Sequence, residues 1–136
     1  MTGQLTTSLA TDVALLAFQA WAKGEQTGFY DDYKALLSDS FRLFSHPLLG
    51  RFTDSEALTR MRALIAERQK TPNQLTFSNM SRASSENTVL FQFDSAGTVS
   101  GGFSYQGYNI IGFVVEDGQI TGFREYFGHI DPQWFK

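Results

Sequence analysis

Glu125 is the residue of this chain that is best placed to do chemistry. It lies in the segment Phe123-Arg124-Glu125-Tyr126-Phe127, and in a strand Phe123, Glu125 and Phe127 would share one face. A carboxylate between two phenylalanines on a concave face loses its hydration, which raises its pKa. A raised pKa suits a general acid or base that works near neutral pH. The pattern predicts that Glu125 transfers a proton, and the alternative is a solvated strand carboxylate.

His46 is the second candidate catalytic residue. It stands in Phe44-Ser45-His46-Pro47, and its imidazole changes charge near physiological pH. It could therefore act as a proton shuttle or hold the carbonyl oxygen of a ligand. The alternative is a turn histidine before Pro47 that bonds only to the backbone.

Aromatic side chains supply the candidate walls of a ligand pocket around these two residues. A tyrosine hydroxyl that points inward can polarise a substrate oxygen, and phenylalanine rings suit a largely apolar ligand. We expect five residues to form this pocket: Tyr30, Tyr33, Tyr105, Phe123 and Phe127. For Tyr30 and Tyr33 core packing is the alternative, and for Tyr105 it is a contact between subunits.

The elements that must position these residues change type at the middle of the chain. Apolar residues recur with helical spacing over 9–23 and 29–37. A third helix is predicted from Thr53, where Thr53 and Glu56 have the spacing of a capping box, and it ends before Pro72. Gly24 is the predicted end of the first helix.

The second half has the composition of strands. Segments 75–81, 88–94, 99–115 and 119–127 are rich in β-branched and aromatic residues, with turns at 84–87, 95–97 and Asp117-Gly118. Three helices followed by an antiparallel meander predict an α+β fold in which a curved sheet wraps over the helices as a cone. Residues 1–8 are expected to be frayed, and residues 9–136 to form one domain.

Composition excludes several classes of function. The 136 residues suit one domain, and the chain has no cysteine and two histidines, so disulfides and a thiolate nucleophile are absent and a metal site is not expected. No phosphate-loop, dinucleotide or other cofactor motif is present. A net charge of -3 argues against nucleic acid as a partner. The longest apolar run, 110–115, is too short to span a membrane, and without a signal segment we expect a cytoplasmic protein.

The order of the elements and the segment Glu-Asp-Gly-Gln-Ile-Thr-Gly-Phe-Arg-Glu-Tyr-Phe at 116–127 carry a family resemblance. The chain resembles the nuclear transport factor 2-like superfamily, which includes SnoaL-like polyketide cyclases, ketosteroid isomerases and limonene epoxide hydrolases. The resemblance implies the cone-shaped, cystatin-like fold. It also implies a homodimer through the outer sheet face, where Arg124 and Tyr126 would lie.

The resemblance to the epoxide hydrolases carries over at one position. Their general base lies between Arg and Tyr on the last strand, and Glu125 is the matching residue here. Their Arg and Asp on an earlier strand have no matching Arg within 88–94, and their Tyr and Asn correspond to about Leu43 and Ser45. The oxyanion-hole Tyr of the ketosteroid isomerases has no counterpart within 9–23.

Two functions are compatible with these residues. One is an isomerase, cyclase or hydrolase that acts on a small, largely apolar molecule with Glu125 as general base or acid. The other is a ligand-binding or assembly module that uses the same cone without chemistry. A third possibility leaves Glu125 in a core ion pair with Arg42 or Arg51. A second polar group within hydrogen-bond reach of Glu125 would favour the enzyme.

Overall fold

A curved, unclosed sheet of six strands wraps over the helices in the computed structural model, which describes residues 2–71, 73–99 and 101–128. In chain order the elements are α1 (Thr2–Thr27), α2 (Asp31–Lys34), β1 (Leu43–His46), β2 (Gly50–Phe52), α3 (Glu56–Lys70), β3 (Gln74–Ser85), β4 (Thr88–Val99), β5 (Phe103–Glu116) and β6 (Gln119–Gly128). The predicted α+β cone is confirmed. Helix α1 begins at Thr2, and the fraying expected for residues 1–8 stays a prediction.

The strand order is β2-β1-β6-β5-β4-β3, so the early hairpin joins the sheet beside the last strand. Strand β1 runs parallel to β6, with Phe44 opposite Phe123 and Ser45 opposite Arg124. All other neighbours are antiparallel. This parallel pairing places the end of β1 beside the middle of β6, and the site depends on it.

The first helix runs past its predicted end at Gly24. The backbone N–H of Gly28 still donates to the Gly24 carbonyl at 2.7 Å, and Gly28 has a φ of +82°, typical of the glycine that follows a helix. Gly24 is required for a different reason. A Cβ there would lie 2.3 Å from the ring of Tyr30, so this glycine allows the close approach of a side chain.

The capping box predicted at the start of α3 does not form. The helix begins at Glu56, whose backbone N–H donates a hydrogen bond to Asp54 Oδ1 at 3.0 Å. An aspartate carboxylate satisfies the free N–H groups of a first turn as well as a threonine hydroxyl does. The helix therefore starts three residues later than the sequence pattern indicated.

One predicted turn is confirmed and another is wrong. Asp117 and Gly118 have φ values of +51° and +75°, as expected for a tight hairpin between β5 and β6. Gly97, in contrast, lies within β4 opposite Leu75. A Cβ on Gly97 would come 2.1 Å from the carbonyl oxygen of Gln74, so this glycine permits close strand contact instead of a turn.

Aromatic rings fill the space between α1 and the sheet. Phe18 on α1 stacks on Phe91 with ring centroids 4.7 Å apart, and Trp21 stacks on Phe77 at 5.4 Å. Phe93 meets Phe77 edge-to-face at 5.1 Å. Such offset and edge contacts stabilise a core beyond the burial of their area. No helix within the described residues is long and apolar enough to cross a membrane.

Candidate functional site

A cavity of about 120 Å³ opens between the C-terminal ends of α1 and α3 and the inner face of the sheet. Polar groups from both layers line it, and they are Glu25, Arg68, Asn73, Tyr105, Asn109 and Glu125. Aromatic rings of Trp21, Phe77 and Phe127 form much of the remaining wall. The cavity therefore combines an apolar surface with a few converging polar groups, as small-molecule sites do.

Glu125 lies on the inner face of β6, as its alternation with aromatic residues predicts. Its side chain is 4% exposed, whereas Tyr126 on the outer face is 45% exposed. Glu125 pairs with Ile111 of β5 across the sheet and reaches the cavity. Among the described residues no side chain donates a hydrogen bond to it, so the carboxylate is buried with unused acceptor capacity.

His46 is a polar neighbour of Glu125, because the parallel pairing of β1 and β6 brings both side chains to the same face. His46 Nε2 lies 3.3 Å from Glu125 Oε1, with both side chains almost fully buried. The N–H does not point along a linear hydrogen bond, and Nε2 has no better acceptor among the described residues. The contact is therefore a close electrostatic approach and not a hydrogen bond.

The other ring nitrogen of His46 fixes the tautomer. The backbone N–H of Leu48 donates to His46 Nδ1 at 3.1 Å, so Nδ1 must be unprotonated and the single proton sits on Nε2, facing Glu125. The Phe127 ring packs edge-on against the imidazole, with centroids 5.5 Å apart. His46 thus makes both the backbone contact expected of a turn histidine and the close approach to Glu125.

A second carboxylate, Glu25, lies in the cavity wall and is held from two sides. Arg68 Nη1 donates to Glu25 Oε1 in a short ion pair, and Asn73 Nδ2 donates to Oε2 at 3.1 Å. The Glu25 side chain is 1% exposed and that of Arg68 is 23% exposed. Burial strengthens such a charge-assisted pair and makes the loss of either partner costly.

Burial governs the titration of these groups. It raises the pKa of Glu25, and this effect outweighs the lowering by Arg68 and Asn73. Burial alone would lower the pKa of Arg68, but the negative charges of Glu25 and Glu125 raise it above its usual value. Burial, with the charge of Glu125, also raises the pKa of Tyr105. Arg68 therefore stays charged and Tyr105 keeps its proton near neutral pH.

The inner face of β4 and β5 adds a polar network beside the carboxylates. Ser95 Oγ donates to Asn109 Oδ1 at 2.6 Å, and Ser95 is directly opposite Gly107 in the sheet. A Cβ on Gly107 would meet the Tyr105 hydroxyl at 2.2 Å. The glycine therefore lets the Tyr105 side chain lie along its own strand toward Ser95.

The structure brings together only some of the residues that the sequence selected. Tyr105 and Phe127 line the cavity with Glu125. Phe123 is fully buried in the core, and the Tyr33 hydroxyl points at Met61 Sδ, 3.6 Å away. Tyr30 is also buried outside the cavity wall, and the charges of Glu25 and Arg68 interact with it.

The core ion pair considered for Glu125 does not exist. Arg42 pairs with Glu116 at the end of β5, and Arg51 is exposed on β2. Within the described residues, His46 Nε2 approaches Glu125 and the charge of Arg68 interacts with it. The arginine of the site therefore comes from a helix instead of the strands.

Sequence reasoning missed Glu25, Arg68 and Asn73. A signal was present, because Glu25 follows Trp21 by four residues and Arg68 follows Ile65 by three. Each charge thus lies on the apolar stripe of its helix, where a charged residue needs a partner. Placing the end of the first helix at Gly24 hid this relationship for Glu25.

Metal-ligating side chains do not cluster in the described part of the chain. Within residues 2–71, 73–99 and 101–128 no three His, Asp or Glu side chains lie together in a way that could hold an ion.

Comparison with solved structures identifies the architecture. An NTF2-like protein from Anabaena variabilis superimposes with a TM-score of 0.72 at 24% identity, over 88% of this chain and 90% of the other. An LEH-like epoxide hydrolase from M. tuberculosis gives 0.62 at 22% identity, over 90% and 84%. A candidate polyketide cyclase from Xanthomonas campestris pv. campestris gives 0.68 at 14% identity, over 96% of both chains.

Comparisons by sequence gave no match, either to a family model or to a curated protein. The structural similarity extends over most of each chain, so it covers the helices, the early hairpin and the meander together. The cavity lies where that curved sheet closes over α1 and α3. The chain therefore has the nuclear transport factor 2-like fold.

Proposed function

We propose that the protein is a small-molecule enzyme of the isomerase, cyclase or hydrolase kind in which Glu125 is the general base. The observation that carries this proposal is a carboxylate that is 4% exposed, lines a cavity and lies 3.3 Å from His46 Nε2. A base must first be within reach of its substrate, and Glu125 lines the cavity in which a small substrate would lie. Two structural neighbours are described as a polyketide cyclase candidate and an epoxide hydrolase, which supports the same range of reactions.

The surrounding residues have distinct roles in this proposal. Glu125 takes a proton from a carbon next to a carbonyl group, or from water, and the negative charge that develops moves to a substrate oxygen. The Tyr105 hydroxyl and an N–H of Arg68 face the same cavity and would stabilise that oxygen. A guanidinium has five N–H donors, so Arg68 can bind Glu25 and still donate to a substrate. His46 is a positioning residue that orients the Glu125 carboxylate.

The volume of the cavity limits the reacting part of the substrate. At about 120 Å³ it is somewhat smaller than the engineered cavity of about 150 Å³ that holds benzene. The group that enters should therefore contain roughly five heavy atoms. The rest of a larger substrate would have to remain at the mouth of the cavity.

A ligand-binding module without chemistry is the second candidate. It is favoured by the pairing of Arg68 with Glu25 and of Ser95 with Asn109. These groups satisfy each other before any substrate enters, whereas catalytic groups are commonly left to find partners in the transition state. Binding without turnover by the wild-type protein would support this candidate.

The test is a turnover screen of small ketones, lactones and epoxides in D₂O and, separately, in H₂¹⁸O. Incorporation of deuterium at carbon indicates isomerase or cyclase chemistry, and ¹⁸O in the product indicates hydrolysis. Glu125→Gln should abolish either signal while it preserves ligand binding, because the amide cannot accept the proton. Glu116→Gln, which removes a carboxylate outside the cavity, should keep full activity. Unchanged turnover in Glu125→Gln would refute the proposal.

We also propose that two copies associate through the outer face of the sheet. Leu90, Ile110 and Tyr126 are exposed there, and Ile110 is directly opposite Tyr126 in the register. The same face bears Arg124 and Asp94, so a twofold-related copy can match opposite charges. A continuous apolar sheet face of this kind is typical of an interaction surface.

A further inference from the structure

The charged groups that line the cavity do not balance. Among residues 2–71, 73–99 and 101–128, two carboxylates, Glu25 and Glu125, face a single guanidinium, Arg68. His46 adds no charge, because its Nδ1 accepts the Leu48 N–H and the ring carries one proton. With both carboxylates ionised, the described lining residues therefore carry one negative charge in excess.

The excess charge resides on Glu125. Arg68 makes its ion pair with Glu25, whose second oxygen is bonded to Asn73. Glu125 faces the cavity without a hydrogen-bond donor from the side chains that the structure describes, and it is 4% exposed. A buried carboxylate in this condition is stabilised by a positive charge that enters the cavity. An anionic ligand would instead be repelled by the Glu125 carboxylate.

The remaining walls are suited to a cation that carries methyl groups. Trp21, Phe77 and Phe127 present aromatic rings to the same cavity. Such rings attract alkylated ammonium groups through their negative faces, while the methyl groups pack against them. A head group of about five heavy atoms fits a cavity slightly smaller than one that holds benzene.

From these observations we propose that the cavity binds the ammonium head of a small alkylated amine, with the charge against Glu125 and the methyl groups against the aromatic rings. The proposal names the ligand class of the site described above and rests on that site, but not on turnover. Glu125 holds a cation in this position whether or not it also acts as a base.

The test compares two ligands of similar size, tetramethylammonium and the neutral tert-butanol. Binding to the full-length protein is followed through the indole N–H resonance of Trp21, which is in the cavity wall. Tetramethylammonium should bind at least about tenfold more tightly than tert-butanol, because the cation gains both ion pairing and cation–π contact. Acetate should not shift the resonance at all.

Three variants test which residues cause the preference for tetramethylammonium over tert-butanol. Glu125→Gln should remove most of the preference for the cation and retain the affinity for tert-butanol. Phe77→Leu should weaken binding of the cation more than that of the alcohol. Glu67→Gln, which removes an exposed carboxylate beside Arg68 on α3, should leave the preference unchanged. Amide spectra that match the wild type establish that each variant is folded.

The outcomes separate this proposal from the proposed function. Equal affinity for the two ligands, or a preference that survives Glu125→Gln, overturns the ammonium proposal even if Glu125 proves to be the base for a neutral substrate. Selective cation binding that depends on Glu125 sustains it even if the turnover screen finds no reaction. Tetramethylammonium should also inhibit any Glu125-dependent turnover in competition with substrate.

Discussion

Arg68 is bonded to Glu25 and not to Glu125, although both carboxylates line the same cavity. The pairing follows from the helices, since Glu25 and Arg68 lie near the C-terminal ends of α1 and α3. Among the described residues, the Glu125 carboxylate therefore contacts His46 and is available to a ligand in the cavity. One carboxylate thus has a structural partner within the protein, and the other retains acceptor capacity for a ligand or a proton.

Removing one partner of the Glu25–Arg68 pair should lower the stability of the protein strongly. Glu25→Ala leaves a guanidinium without its partner in a largely buried position, and we expect the free energy of unfolding to fall by about 3 kcal/mol. Replacing both residues with apolar ones, as in Glu25→Leu with Arg68→Met, should restore at least half of the loss. Urea denaturation measures both values. Arg60→Met breaks the exposed Arg60–Glu56 pair and should cost under about 1 kcal/mol.

The raised pKa of Glu25 predicts how stability changes with pH. Its carboxyl binds a proton more tightly in the folded chain than in the unfolded chain, where the ordinary value is 4.5. The stability gained from this tighter proton binding is fully present below pH 4.5. It is lost as the pH rises through the raised pKa of Glu25 in the folded chain. Relative to Glu25→Gln, the wild type should therefore become less stable across that interval. A difference between the two proteins that does not vary with pH would contradict this interpretation.

The tautomer of His46 can be observed directly. Long-range ¹H–¹⁵N spectra at neutral pH should show an unprotonated Nδ1 and a protonated Nε2, because Nδ1 accepts the Leu48 N–H. Glu125→Gln should move the Nε2 resonance more than that of Nδ1, since Glu125 faces Nε2. The resonances of the second histidine, His129, are identified with His129→Gln. Protonation of Nδ1 instead would remove the basis for assigning His46 as the positioning residue.

Gly24 should not tolerate alanine, although it lies within a helix. Alanine normally stabilises such a position by about 1 kcal/mol, but here its Cβ would lie 2.3 Å from the buried Tyr30 ring. We expect Gly24→Ala to lower the free energy of unfolding by about 2 kcal/mol. In a Tyr30→Ala background the same change should be neutral or stabilising, because the obstructing ring is gone. Additive effects of the two changes would show that the contact is not the cause.

The outer sheet face should determine the oligomeric state. Tyr126 is 45% exposed at its centre, and Tyr126→Glu would place a charge in the proposed contact between copies. Light scattering should give the mass of a dimer for the wild type and of a monomer for this variant. Leu48→Glu, at a residue that is 79% exposed on the β1–β2 turn, should remain dimeric. A monomeric wild type at micromolar concentration would rule out the interface.

The sequence predicted the architecture because its strand and helix periods are strong and local. Alternation along β6 placed Glu125 inside and Tyr126 outside, and the Asp117-Gly118 hairpin follows from turn chemistry. The sequence does not show which distant strands pair or in what register. The approach of His46 to Glu125 depends on a parallel pairing between distant strands, for which neither strand carries a local signal.

Glycines produced the clearest errors. The sequence pattern predicts that Gly24 ends a helix and that Gly97 belongs to a turn. In the structure each lies within its element and makes room for a neighbour, the Tyr30 ring and the Gln74 carbonyl. A glycine required for close approach and one required for a positive φ look identical in a sequence. Only the packing of the other layer distinguishes them.

Four ionisable groups of the site come from four elements: Glu25 from α1, Arg68 from α3, His46 from β1 and Glu125 from β6. None of these groups is near another in the chain, so an unfolded chain offers no partial version of the site. A ligand bound here should therefore add its whole binding free energy to the stability of the native state. Thermal-shift screening is accordingly a direct assay for ligands of this protein, since its melting temperature will report occupancy without any knowledge of the reaction.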